Sequence, residues 1–292
     1  MASLFRTVSV VLLALAVLGA VAFFAWARRL EHRSLYRPHR TVVATPADAR
    51  LRWQPVTFLS DDGKTSLEGW WIPSPGARLT VLYCHGNSGN IGDLVGTARA
   101  FHDLGCNLLL WDYRGYGRSD GRPGERGIRQ DAIAAYDAAA RLAPGAGVVV
   151  YGISLGAAVA VRLADDLRGL PALPPPRALV AESGFSSVAD MARRLHPWAP
   201  AWLVRGHYPS DEAAARLAGL PKLFLHARDD AVVPWESGRA LFAAAAEPKR
   251  FATLTGPHAQ SDWAALPALR KFLAEAAAAA PEEPAAEEAE ND

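Results

Sequence analysis

The sequence predicts an α/β domain: a mostly parallel sheet with helices on both faces and an antiparallel hairpin at its start. Three observations predict it. Short, continuously apolar runs recur along the chain, the pattern of strands buried on both faces. Longer segments with apolar residues at helical spacing separate those runs. Near the beginning, the turn signal Asp61-Asp62-Gly63 divides two β-rich runs closely enough to close a hairpin.

The hairpin comprises residues 56–60 and 67–72. Residues 79–85 form an apolar strand, followed by a helical stretch at 91–104. A strand at 107–112 precedes a helix at 128–142, in which Ile128, Ala132, Ala135, Tyr136, Ala139 and Leu142 share one face. The nearly all-apolar strand 148–151 runs into a helix that continues through Leu167. Strands at 178–182, 222–226 and 250–254 complete the sheet, with helices at 237–246 and 261–280. The Pro-rich run 171–176 is a loop from helix to strand. Residues 183–221 contain Trp198, Trp202 and several Pro, and are a candidate small cap over the strand ends.

The ends of the chain differ from this pattern. Residues 7–27 carry no charge and, as a helix, would be ~31 Å long, close to the hydrocarbon thickness of a bilayer. A cleaved signal peptide is the rival reading, since Ala25-Trp26-Ala27 resembles a cleavage site. The apolar run is too long for that, and its basic residues follow it: Arg28, Arg29, Arg33, Arg37 and Arg40 against Arg6 alone in front. Residues 1–40 are therefore expected to be an uncleaved anchor with a basic flank. The Arg bias favours the cytoplasmic side for the body, residues 41–273. Residues 274–292, rich in Ala and Glu, are expected to be an acidic disordered tail.

Composition narrows the function classes. Half the residues are hydrophobic and 21% are charged, as in a globular chain. A net charge of +1 argues against a nucleic-acid partner. With two cysteines, neither a disulfide scaffold nor a zinc ribbon is available; Cys84 and Cys106 lie in apolar strand contexts and are expected to be buried thiols.

Gly152-Ile153-Ser154-Leu155-Gly156 follows a strand and opens a helix. That setting turns a common pattern into a specific one, a sharp turn that projects a Ser side chain at the C-terminal edge of the sheet. A Ser hydroxyl needs a base, and the base needs an orienting acid. Asp230 and His258 each lie just past a strand, so both emerge at the edge that carries Ser154. Asp229 is adjacent and Glu182 ends another strand at the same edge, so spacing leaves three candidates for the acid. The run His85-Gly86-Asn87-Ser88-Gly89-Asn90 follows a strand too. The N–H groups of Asn87 and Leu155 are the candidate oxyanion donors. A nucleotide-binding loop is the alternative, but no Lys-Ser/Thr pair follows.

These residues resemble the α/β-hydrolase superfamily, and within it the membrane-anchored serine hydrolases that include lysophospholipid lipases and protein depalmitoylases. The likeness rests on Leu35-Tyr36-Arg37-Pro38, Asp62-Gly63 with Leu67-Glu68-Gly69-Trp70, and the His85 to Asn90 run. It also rests on Asp112-Tyr113-Arg114-Gly115-Tyr116-Gly117-Arg118-Ser119, the Gly152 to Gly156 turn, and Glu182-Ser183-Gly184-Phe185-Ser186-Ser187. The resemblance implies Ser154 as nucleophile, Asp230 as acid and His258 as base, because the family's acid stands four residues after the strand-end His226. It implies a structural role for the run from Asp112 to Ser119. Two positions depart from the family: Ala227 stands where Gly is usual, and Gly256-Pro257-His258-Ala259-Gln260-Ser261-Asp262 replaces Gly-His-Asn-Asp.

The expected activity is hydrolysis of carboxylic esters or thioesters through an acyl-enzyme, on lipid-like or acylated substrates at a membrane, with no metal or organic cofactor. Trp26, Trp53, Trp198 and Trp202 are candidates for the lipid–water boundary. A small-peptide serine peptidase and a catalytically silent binding scaffold are the alternatives.

Overall fold

The computed structural model describes residues 2–198, 204, 208–258 and 266–279. Helix α1 (Ala2–Leu35) leads into the two-residue strand β1 (Arg37–Pro38). The hairpin follows as β2 (Gln54–Leu59) and β3 (Ser66–Ile72), antiparallel as expected. Then come β4 (Leu79–Cys84), β5 (Ser88–Gly89), a 3-10 turn at Ile91–Leu94, α2 (Val95–Asp103) and β6 (Asn107–Trp111). Helix α3 (Glu125–Leu142), β7 (Gly147–Ile153), α4 (Leu155–Leu167) and β8 (Ala178–Glu182) form the centre. Short helices α5 (Val188–Leu195) and α6 (Ser210–Ala215) precede β9 (Lys222–Ala227), α7 (Trp235–Ala244), β10 (Lys249–Leu254) and α8 (Pro267–Ala278).

Eight strands make one sheet in the order β10-β9-β8-β7-β4-β6-β3-β2. β3 runs antiparallel to both neighbours, and every other pair is parallel. The central strand shows why its sequence has no polar alternation. Val148 and Val150 pack into the layer beneath α3, α4 and α7, whereas Val149 and Tyr151 pack into the layer beneath α2 and α8. Both faces are covered, so both sets must be apolar. Cys84 and Cys106 are buried free thiols.

Packing runs past two of the expected bounds. Tyr36, before residue 41, is buried in the core, and β1 pairs in parallel with β5. A two-residue strand that contains Pro38 has no periodicity to betray it. The candidate cap segment contains α5 and α6, while 199–203 and 205–207, including Trp202, lie outside the described residues. Helix α8 continues through Ala278, into the segment assigned to the acidic tail; residues 280–292 lie outside the described residues.

Candidate active site

Strands β4, β7, β8 and β9 finish at one edge of the sheet, and the loops that leave them assemble the site. Ser154 sits between β7 and α4 with φ 56° and ψ −120°, a conformation that costs a non-glycine residue about 1–3 kcal/mol. Its N–H donates to Glu182 O at 2.9 Å and its carbonyl accepts from Ala157 N–H at 3.0 Å, so both neighbours hold the turn. The flanking glycines are required by space. A Cβ on Gly152 would collide with the Gly156 carbonyl oxygen, and one on Gly156 with those of Cys84 and His85. These obstacles are backbone, which cannot rotate away. Gly156→Ala is therefore expected to destabilise the fold by about 4 kcal/mol or more, read as loss of folded protein in denaturant titration.

His258 follows β10 and meets Asp230, from the loop after β9, with Nδ1 donating to Oδ2 at 2.7 Å. Asp230 is buried, and its Oδ1 accepts from the N–H groups of Val232 and Val233 at 2.9 and 2.8 Å. Burial pushes this carboxyl up, but the hydrogen bonds from His258, Val233 and Val232 outweigh burial and hold it down at about 2. Asp229 is exposed. The Glu182 carboxylate accepts from Tyr151 O–H at 2.6 Å in the core. Of the candidate acids, Asp230 is the one joined to His258. The strand-end histidines contact backbone carbonyls: His226 Nε2 lies 2.9 Å from Val233 O, and His85 Nδ1 lies 2.7 Å from Gly86 O. His207 and the run from Ala259 to Asp262 lie outside the described residues.

Ser154 and His258 line one cavity of about 180 Å³, together with Gly86, Asn87 and Ile153. Leu155 is the first residue of α4, where a helix leaves its N–H groups without internal partners. Among the described residues the Asn87 N–H makes no backbone hydrogen bond. A larger cavity of about 650 Å³ lies between α3, α4 and Tyr208, and neither Ser154 nor His258 lines it.

The end of α1 and the residues after it hold the Asn87 loop, which sequence reasoning did not anticipate. Arg37 N–H donates to Asn87 O at 2.8 Å, and the Asn87 side-chain amide donates to Ser34 O at 3.1 Å. From the other side, Tyr116 O–H donates to Asn87 O at 2.8 Å and Tyr113 O–H to His85 O at 2.7 Å. The run from Asp112 to Ser119 is thus a brace for the loop. Arg37→Pro removes one of these donors. It is expected to lower kcat on a soluble ester by up to ~10²-fold with little change in KM, if the Asn87 N–H serves the transition state.

Beneath the loop, His85 Nε2 lies 3.5 Å from Asp112 Oδ1, and Ile91 N–H donates to that oxygen at 3.0 Å. Burial pushes Asp112 up to about 7 and His85 down to about 4. A raised carboxyl means that the folded chain binds the proton more tightly than the unfolded one. The associated stability is full below the ordinary carboxylate value and is lost as pH rises to about 7. Asp112→Asn should remove that slope, so the variant gains on wild type in thermal melts run from about pH 5 to pH 8.

Comparison with known proteins decides the family. A model described as serine aminopeptidase, S33, matches residues 75–211. An uncharacterized protein of Mycobacterium tuberculosis, Rv2307c, is 36% identical over 283 residues, covering 93% of this chain and 96% of its own. The chain is an α/β hydrolase. Its curated relatives include protein bem46 of Schizosaccharomyces pombe, 31% identical over 67% of this chain and 66% of that one. Lysophosphatidylserine lipase ABHD12 of Danio rerio is 34% identical over 58% of the hydrolase and 48% of that protein. Among solved structures, a Pyrococcus furiosus esterase superposes with TM-score 0.66 at 20% identity, covering 82% of this hydrolase and 97% of that chain.

Proposed function

We propose that this hydrolase cleaves carboxylic esters or thioesters through an acyl-enzyme on Ser154. The observation that carries the reading is the 2.7 Å contact between His258 Nδ1 and Asp230 Oδ2 at the rim of the cavity that Ser154 lines. With Nδ1 committed to Asp230, His258 Nε2 takes the Ser154 proton as Oγ attacks the carbonyl. The developing oxyanion accepts from the N–H groups of Leu155 and Asn87. Nε2 then returns the proton to the departing alkoxide or thiolate, and water, activated by the same nitrogen, releases the acid. A strained Ser at a helix N-terminus supports this reading, as does the Asp230 carboxyl, ionised down to about 2 and able to stabilise imidazolium.

The substrate is a lipid ester or an acylated protein at a membrane. The most apolar 18-residue stretch of α1 has a mean hydropathy of 2.8, and α1 is long and apolar enough to cross a bilayer; the Arg-rich flank favours the cytoplasmic side for the body. The name of one relative, a lysophosphatidylserine lipase, points the same way. The full-length chain should turn over lysophospholipids or long-chain acyl thioesters faster than short soluble esters. Preference for aminoacyl amides would favour a peptidase, in line with the description of the family model. Lack of turnover on every substrate, with no active-site labelling, would favour a silent scaffold.

A further inference from the structure

Outside α1, the exposed large apolar side chains among the described residues are Val43, Leu59, Leu195, Trp198 and Val232. All of them sit on segments at the edge of the sheet that holds Ser154. The Val43 backbone N lies against Gly92, in the turn that follows the Asn87 loop. Leu59 ends β2. Because β3 is antiparallel to both β2 and β6, β2 finishes on the side where β6 finishes. Leu195 ends α5, which opens at Ser187 just after β8, and Trp198 follows it at 80% exposure. Val232 is in the Asp230 loop. At the opposite edge, where the parallel strands begin, no large apolar side chain of the described residues is exposed.

The anchor helix joins the body at the same edge. His32 Nε2 lies 3.0 Å from Pro123 O, the Tyr36 and Tyr208 hydroxyls are 2.9 Å apart, and Arg37 binds the Asn87 loop. From Arg28, the first charge after the apolar run, to Leu35 the helix rises ~10 Å, enough to clear a headgroup layer of ~5–8 Å. Arg29, Arg33, Arg37 and Arg40 are exposed along this stretch. Exposed apolar side chains at that edge, beside a long apolar helix with an exposed Arg-rich flank, match an anionic bilayer surface.

We infer that the catalytic edge is a membrane-docking surface. It rests on an anionic bilayer with Val43, Leu59 and Trp198 at the boundary between headgroups and acyl chains, so lipid substrate reaches Ser154 from the bilayer. This inference builds on the reading of the chain as a membrane-anchored hydrolase. The test uses full-length protein in vesicles of phosphatidylcholine and phosphatidylglycerol. Val43→Cys, Leu59→Cys and Trp198→Cys are each labelled with an environment-sensitive fluorophore, the native thiols being buried. Arg141→Cys, in the last turn of α3 at the opposite edge, is the control.

Labels at 43, 59 and 198 are expected to shift to the blue and to be quenched by spin-labelled lipid several-fold more than the label at 141. Equal, weak quenching at all positions, in protein that floats with the vesicles and reacts with a fluorophosphonate, overturns the docking surface alone. A blue shift without lipid quenching also overturns it, because protein then covers the face. Failure to float overturns the anchor reading and the docking surface with it.

Discussion

Ser154→Ala is expected to abolish covalent labelling by a fluorophosphonate and to lower ester turnover by ~10⁴-fold or more. The size of the effect follows from the geometry. Ser154 is held at φ 56° by bonds to Glu182 and Ala157, in a turn whose flanking glycines leave no room for a side chain. A strained turn of this kind presents one hydroxyl to the cavity shared with His258. Alanine keeps the backbone and removes the hydroxyl proposed to form the acyl bond. Folding should be unaffected, because the Ser154 backbone bonds persist, and a thermal melt checks that directly.

Asp230→Asn is expected to lower kcat by ~10⁴-fold, with binding of substrate largely preserved. Ionised Asp230 accepts from His258 Nδ1 and so leaves Nε2 to act as the base in the proposed mechanism; an amide in that place favours the opposite tautomer and cannot balance imidazolium. Asp229→Asn, on an exposed neighbour, is the matched control and should stay near wild type. A folded-state carboxyl held at about 2 also contributes stability that is complete above the ordinary carboxylate value and is lost as pH falls toward about 2. The Asn variant should therefore show a shallower acid side in its melting curve.

The parallel strands were legible because burial on both faces leaves each of them continuously apolar, and the hairpin because Asp61-Asp62-Gly63 marks its turn. Ser154 was legible because a strand, a glycine-flanked Ser and a helix occur in sequence. The choice between Asp229 and Asp230 was not, since adjacent residues share the same spacing; burial and the bond to His258 separate them. The strand Arg37–Pro38 escaped because two residues cannot display a period, and its hydrogen bonds lie far along the chain. Helices α5 and α6 were hidden in a stretch of Pro and Trp that reads as irregular. On the Ser34 and Arg37 side, the tie to Asn87 uses backbone atoms, which carry no side-chain signature.

The proposed nucleophile is tested most directly by mass spectrometry of the full-length hydrolase after reaction with a fluorophosphonate. One adduct per chain on the peptide containing Ser154, lost in both Ser154→Ala and His258→Ala, is the expected result. An adduct on a different serine, or none on protein that is demonstrably folded, would contradict the acyl-enzyme mechanism.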